Sequence, residues 1–425
     1  MNQPSSPIHV VIVGAGFGGI AAAKYLQYAK NIEITLIDRH NYHLFQPLLY
    51  QVACAMLSPD QIAVPIRTLF SKASNNIKIV MDEVVAVNPT KHTINTRKKQ
   101  FTYDYLILAP GSEDNFFGNE AIANYCFSLK SLQDATMIRQ AALRCFEEAE
   151  INDDPQERQR LTTFVIIGGG PTGVEMAGAL AELSSIVSKE FTQLNPLNIK
   201  IILIEAGARI LPSFPELLSL AAEKALREKG VTIYLNTKVE KIDRNGLYVG
   251  KQFIQAATII WSAGVKASPI QRWFQEPLKA GKGERIIVEK DLSLPGFTDL
   301  FVIGDAAAVI DKNGHILPGV APVAKQQGHF VAKLIMHHLR NPEAKRPQFF
   351  YRNYGSLATI GRYFAIADFG KIQLKGILGW FIWGVAHIYY LIGFRNRMMV
   401  ILNWLWEYIF YARGNRLIIQ EKKPD

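Results

Sequence analysis

Cysteine is scarce. Only Cys54, Cys126 and Cys145 occur in 425 residues, and they form neither a C-x-x-C pair nor a metal-ligand cluster. A disulfide framework, redox-dithiol chemistry and a cysteine metal site are therefore not expected, and a reduced compartment is. Acidic residues are the minority, 37 against 47 Lys and Arg, for a formal charge of +10. Such a balance suits nucleic acid, an anionic membrane or plain solubility. The aromatic residues, however, lie within apolar runs and do not alternate with bases along a charged groove, so nucleic acid is not expected. The N-terminus, Met1 to Pro7, has no apolar run of a secretory or transit type; the folded part is expected to begin on the cytoplasmic side. No Ser/His/Asp arrangement suggests a triad, and no series of long spans carrying ionisable residues suggests a proton pump.

What the chain does have is glycine in fixed places. Val11-Ile12-Val13-Gly14-Ala15-Gly16-Phe17-Gly18-Gly19 runs from a β-branched strand into a helix that continues through Ala21-Ala22-Ala23. Gly14 suits the tight turn, Gly16 lets the backbone approach a pyrophosphate, and Gly19 lets helix and strand pack closely. A second strand, Ile32 to Ile37, ends in Asp38, at the spacing of a ribose-binding acid. The theme returns at Phe164-Val165-Ile166-Ile167-Gly168-Gly169-Gly170-Pro171-Thr172-Gly173-Val174-Glu175, with Gly168, Gly170 and Gly173 in the required places and a strand from Lys200 to Ile204 ending in Glu205. A carboxylate there accepts ribose hydroxyls and repels a 2′-phosphate, which favours NADH over NADPH. Two such fingerprints predict an α/β chain with two Rossmann-like dinucleotide-binding domains.

The connecting stretches carry further candidates. Strands are expected over Ile77 to Val87 and Thr90 to Leu108, closed by the breaker turn Ala109-Pro110-Gly111-Ser112, which Trp261-Ser262-Ala263-Gly264 matches in the second module. A helix from about Leu132 to Glu150 precedes a charged linker, Asn152 to Arg160. Leu300-Phe301-Val302-Ile303-Gly304-Asp305-Ala306-Ala307 ends a strand in glycine and a carboxylate; Asp305 is read as a helix cap that can also contact a ribityl chain or pyrophosphate. The loop Arg39 to Ala53 is rich in polar and aromatic groups, and wrapping an aromatic cofactor or packing beneath a connection both remain open.

The paired fingerprints, the Gly304-Asp305 turn and the run Asn41-Tyr42-His43-Leu44-Phe45-Gln46-Pro47-Leu48-Leu49-Tyr50-Gln51-Val52-Ala53 together resemble the type II NADH:quinone oxidoreductases, single-chain flavoproteins with two dinucleotide-binding domains. The resemblance covers essentially the whole chain. It implies that Gly14, Gly16, Phe17, Gly18, Gly19 and Asp38 hold FAD, that Asp305 contacts the flavin nucleotide, and that Gly168, Gly170, Pro171, Thr172, Gly173 and Glu205 hold NADH. Arg39, Gln46, Gly111, Gly264, Gly304, Ala321 and Ala324 are further cofactor-binding residues on the same resemblance. The NADH domain is then an insertion: FAD-binding 1–125, NADH-binding 126–290, FAD-binding again 291–345, and a C-terminal membrane-anchoring region 346–425. Gly319-Val320-Ala321-Pro322-Val323-Ala324-Lys325-Gln326-Gln327-Gly328 resembles the family's quinone-site motif, with Gln326 at its second glutamine and Pro322 where many members carry the first. Without the resemblance both Gln326 and Gln327 read as helix-surface residues; the match reassigns Gln326 alone. Glu175 reads either as a complement to its helix N-terminus or, by resemblance, as the proton donor near flavin, nicotinamide and quinone.

The last part changes character. Gly376 to Phe394 contains no formal charge, and Met398 to Phe410 is nearly as apolar, with Trp404, Trp406 and Tyr408. The first run spans roughly 28 Å as a helix, at the margin for crossing a bilayer, and the second is too short. Lys371, Lys375, Arg395, Arg397, Arg413 and Arg416 bracket both. Two interfacial helices on an anionic membrane surface are therefore expected, as the resemblance also implies, with a dimer interface as the competing use. The function expected is electron transfer from NADH through FAD to a membrane quinone, ubiquinone or menaquinone, without proton pumping, by a peripheral protein on the cytoplasmic side of the inner membrane. Two rivals are a sulfide:quinone oxidoreductase, which needs paired redox cysteines, and a nucleotide sensor without turnover.

Overall fold

The computed structural model describes residues 6–70, 76–410 and 414–418; Arg413 and Met1 to Ser5 of the polar N-terminus lie outside the described residues. In chain order, β1 (Ile8–Val13) enters helix α1 (Phe17–Leu26) and is followed by β2 (Ile32–Asp38), the short helix α2 (Leu49–Ala53), β3 (Ile77–Met81) and β4 (Tyr105–Leu108). Helix α3 (Leu132–Ile151) starts at a capping box in which Ser131 and Asp134 satisfy each other's backbone N–H groups. The charged linker is itself partly helical: α4 (Pro155–Leu161) begins at Asp154, whose side chain accepts from the Gln156 N–H. Then come β5 (Thr163–Ile167), α5 (Pro171–Val187), β6 (Lys200–Ile204), α6 (Glu216–Glu228), β7 (Val231–Tyr234), β8 (Thr258–Trp261) and β9 (Leu300–Val302). Helices α7 (Ala321–Arg340), α8 (Ile377–Tyr390) and α9 (Phe394–Phe410) complete the set used below.

Contacts divide the chain into two units. The first comprises Met1–His43, Val64–Glu113 and Val265–Tyr354. Its parallel sheet has the order β9-β4-β1-β2-β3, with β1 flanked by β2 and β4. The central strands β1 and β4 are buried on both faces over most of their length, which is why they read as continuous Val/Ile/Leu runs, whereas the edge strand β3 is partly exposed. The two long strands expected between Ile77 and Leu108 are interrupted by turns: Val84–Asn88, Thr93–Thr96 and Gln100–Thr102 form a separate antiparallel sheet.

The second unit comprises Leu44–Ala63, Asp114–Gly264 and Gly355–Asp425. Its main sheet, β7-β6-β5-β8, is also parallel, with β5 between β6 and β8. These units cut the chain otherwise than the four expected ranges, and hydrogen bonds show why. Residues 265–290 belong with the first unit, where Ile286–Ile287 pairs with Ala307–Ala308. Residues 44–63 belong with the second, because α9 is bonded along the segment from Gln51 to Gln61.

Candidate functional sites in the two units

In the first unit the order of strands reverses between β1 and β4, where α/β sheets bind ligands. Gly14 sits there at φ +95°, and a Cβ on it would lie 2.2 Å from the Ala109 carbonyl oxygen. A Cβ on Gly19 would lie 1.8 Å from the Gly14 oxygen, so helix and strand touch as the sequence implied. Gly16 differs: nothing lies within 4 Å of its would-be Cβ. It is also the N-cap of α1 and offers no side-chain cap, so the first-turn N–H groups and the positive helix end are left for an anion. That opening fits a pyrophosphate.

Asp38 is held at the same turn: its Oδ2 accepts from the Ala15 N–H at 2.6 Å and its Oδ1 from the His40 N–H at 2.7 Å. The Ala15 carbonyl accepts from Nδ1 of His43 at 2.8 Å, and burial lowers the His43 pKa to about 4, keeping the ring neutral. The Phe17 ring meets His43 edge-on at 5.2 Å. Sequence reasoning missed this clamp, since a histidine within an aromatic loop carries no spacing signal. Gly18 is turned away from the opening: its would-be Cβ faces Ile303 and the Ala324 carbonyl, and the Gly328 position meets the Gly18 oxygen at 2.1 Å, so these glycines serve a close α1–α7 crossing. Arg39 is exposed, and Gly111 (φ +80°) borders open space.

Around Asp305 the structure corrects the sequence. Gly304–Ala306 is a single 3-10 turn followed by a two-residue strand, and the next helix, α7, begins at Ala321 after Val320, so Asp305 caps no α-helix. Its Oδ2 instead accepts from the Ser112 hydroxyl at 2.8 Å. The two glutamines also divide differently. Gln327 is 1% exposed and its Oε1 accepts from the Gly304 N–H at 2.6 Å, so it is the glutamine that shapes this turn. Gln326 is half-buried, its amide bonded at both ends to the Arg352 backbone. Ala321 opens α7, Ala324 is buried and Lys325 is exposed.

The second unit repeats the first cradle. Gly168 (φ +108°) would place a Cβ 2.5 Å from Ala263 Cα, Gly173 would place one 1.9 Å from the Gly168 oxygen, and Gly170 borders open space. Gly170 caps α5 without a side chain, and Pro171 and Thr172 are exposed beside it. Glu205, at the end of β6, accepts from the Gly169 N–H and the Gly207 N–H, each at 2.6 Å. Asp38 and Glu205 therefore do the same work: each carboxylate binds the middle residue of its glycine turn. Gln46 lies in this unit, exposed, its amide donating to the Lys130 carbonyl.

Glu175 lies not at the tip of α5 but a turn further in, and it is buried. Burial raises its carboxyl to about 8; the Thr359 N–H (3.4 Å) and the Trp383 indole pull it only partway back. Complementing the helix N-terminus is thus not its role, for at neutral pH it carries a proton and no charge. Next to it, the Cys54 thiol contacts the Met176 sulfur at 3.8 Å, which seats α2 on α5. From α2 a buried chain of hydrogen bonds leads outward: Gln51 donates to the Tyr50 hydroxyl (3.0 Å), and the Trp404 indole donates to Gln51 (2.8 Å).

Helix α9 has a mixed inner face and an apolar outer one. Val400 and Trp404 are buried beside polar groups: Asn396 donates to the Asp60 and Gln61 carbonyls, Asn403 to the Met56 carbonyl, and Glu407 is 1% exposed. Its outer face exposes Leu402, Leu405, Trp406, Ile409 and Phe410, and α8 exposes Ile377, Leu378, Phe381, Val385 and Tyr389. Among the described residues no helix is long and apolar enough to cross a membrane. Among the described residues Cys54, Cys126 and Cys145 form no disulfide, and burial pushes Cys126 up to about 12, far from a reactive thiolate.

The pyridine nucleotide-disulphide oxidoreductase family model matches residues 8–328, and the NDH2 C-terminal domain model matches residues 354–413. Two type II NADH:quinone oxidoreductases of Mycobacterium tuberculosis, NdhA and Ndh, are 36% and 38% identical to the chain, covering 97% and 99% of it and 89% and 92% of their own lengths. The chain belongs to the type II NADH:quinone oxidoreductases. It is a flavin-dependent NADH dehydrogenase, with FAD and NADH as its nucleotides. The fold agrees: NDH2 of Plasmodium falciparum in complex with NADH superposes with a TM-score of 0.89 at 20% identity, covering 97% of this chain and all of that one. A sulfide:quinone oxidoreductase from Aquifex aeolicus shares the fold more loosely, with a TM-score of 0.73 at 19% identity over 95% of this chain and 96% of its own.

Proposed function

We propose that the first-unit cradle holds FAD and the second-unit cradle NADH, and that Glu175 supplies a proton for quinone reduction. When bound, FAD supplies the two-electron relay between NADH and quinone. The chain's own residues position and protonate. Gly16 and Gly170 leave room for a pyrophosphate at an uncapped helix N-terminus, Asp38 and Glu205 brace the turns, and the Glu205 carboxylate disfavours a 2′-phosphate, hence NADH over NADPH. Asp305, oriented by Ser112, and Gly304, held by Gln327, complete the first-unit site.

The observation that carries the proton role is the buried Glu175 carboxyl, protonated at pH 7. It transfers its proton as the quinone takes electrons and is reloaded from solvent. Glu175→Gln keeps the shape and removes the proton. In separated half-reactions it is expected to slow quinone reduction roughly 10²-fold or more and leave flavin reduction by NADH within twofold of the parent. Equal slowing of both halves contradicts the assignment.

The exposed apolar outer faces of α8 and α9 support peripheral attachment to an anionic membrane, because in water an amphipathic helix hides its apolar face and exposes its polar one. Lys371, Lys375, Arg395 and Arg397 flank the two helices in sequence and add the positive charge that an anionic surface attracts. On this reading the enzyme sits on the cytoplasmic face of the inner membrane, takes its quinone from the lipid, and translocates no protons.

A further inference from the structure

Phe117 is a large aromatic side chain that no core accounts for. Its neighbour Phe116 packs into the core beside β5, β6 and β8, its ring 5.4 Å from that of Trp261. Phe117 instead is 67% exposed. It is held in the left-handed region at φ +52°, rare for a bulky residue and a conformation that the surroundings must enforce. The bracing is visible: Asn115 Oδ1 accepts from the Phe117 N–H, the Trp261 indole donates to the Asn115 carbonyl, and the Asn115 N–H donates to the Gly264 carbonyl.

This conformation lays the ring on Gly264. A Cβ on Gly264 would lie 2.7 Å from Phe117 Cζ, and Gly264 has no left-handed φ, so glycine stands there to make room for the ring. Gly264 follows β8 at the carboxyl edge of the parallel sheet, beside Gly168, whose would-be Cβ meets Ala263. That edge, between β5 and β8, is the crevice where a dinucleotide lies in such a sheet. An exposed aromatic face at its lip suits a flat, apolar ring.

We propose that Phe117 is the wall of the nicotinamide subsite: its ring, seated on Gly264, packs against the nicotinamide riboside half of NADH and sets affinity for that half alone. The inference rests on the reading that this sheet binds NADH. It gives Gly264 a steric role, as the floor that lets Phe117 reach the ligand.

The test is calorimetric titration of the flavin-loaded enzyme with NAD+ and, separately, with ADP-ribose, which lacks the nicotinamide half. For Phe117→Ala the expected result is NAD+ affinity about three- to tenfold weaker, unchanged ADP-ribose affinity, and recovery in Phe117→Tyr. Gly264→Ala, which keeps Phe117 but displaces its ring, is expected to show the same selective loss and serves if Phe117→Ala does not fold. In turnover both variants should raise KM for NADH. Unchanged NAD+ affinity, or equal weakening of both ligands, overturns the proposal. Glu205→Gln separates the two readings: if it weakens both ligands while Phe117→Ala weakens neither, NADH binds this sheet without Phe117. If neither variant matters, the placement of NADH itself fails.

Discussion

Gly16 and Gly19 are three residues apart and glycine for opposite reasons. At Gly19 a methyl group would collide with the Gly14 backbone, so Gly19→Ala is expected to destabilise the fold by about 1–3 kcal/mol or more. At Gly16 a side chain meets only open space, and its φ of −72° suits any residue. Gly16→Val is therefore expected to fold with the melting temperature of flavin-stripped parent enzyme while failing to retain FAD, as flavin absorbance after purification would show. Glu175 makes its case through pH. Its carboxyl is raised from an ordinary 4.5 to about 8 by burial, so between those values the folded chain holds a proton that the unfolded chain releases. Stability consequently falls as pH rises through that window, and Glu175→Gln should flatten the slope and be the more stable form above pH 8 in urea titrations. Among single residues, legibility in the sequence followed physical demand. Gly14 and Gly19, like Gly168 and Gly173, were readable because only glycine satisfies their backbone angle or clearance. Gln326 and Gln327 were not, because which of two adjacent helix residues faces inward depends on where α7 crosses α1, a tertiary fact set by Gly18 and Gly328.

Among elements, α9 is the most informative. Asn396, Asn403 and Glu407 point inward within an otherwise apolar helix, and Asn403 and Asn396 satisfy carbonyls of the segment 56–61. Asn403→Ala leaves the Met56 carbonyl without that donor, an expected cost of about 1–3 kcal/mol visible as a lower melting temperature. Changing Leu402, Trp406 and Ile409 together to serine touches only exposed side chains. It should leave the melting temperature intact and weaken co-sedimentation with anionic vesicles by roughly tenfold per residue. Retained vesicle binding, with a shift from dimer to monomer in sedimentation, would instead make this face a contact between copies. The apolar runs themselves were legible, and so were the parallel strands, since a strand buried on both faces has no polar alternation to disguise it. The Asp305 helix cap was not borne out, because glycine followed by an acid opens a 3-10 turn as readily as an α-helix, and nothing local distinguishes them.

For the whole molecule, the decisive feature is duplication. Two parallel sheets carry the same glycine turn, the same uncapped helix start and the same carboxylate brace, once with Asp38 and once with Glu205. A sensor could be built that way, but a chain that also buries a protonated carboxyl and shows an apolar outer face on two consecutive helices has the parts of a relay to a lipid-borne acceptor. Anaerobic stopped-flow of the detergent-solubilised enzyme tests the central claim most directly, following flavin bleaching by NADH or NADPH and then reoxidation by a short-chain quinone. The account requires rapid bleaching by NADH, weak bleaching by NADPH, and recovery with quinone that slows as pH rises through 8. Bleaching without recovery, or recovery indifferent to Glu175 and to pH, would contradict it.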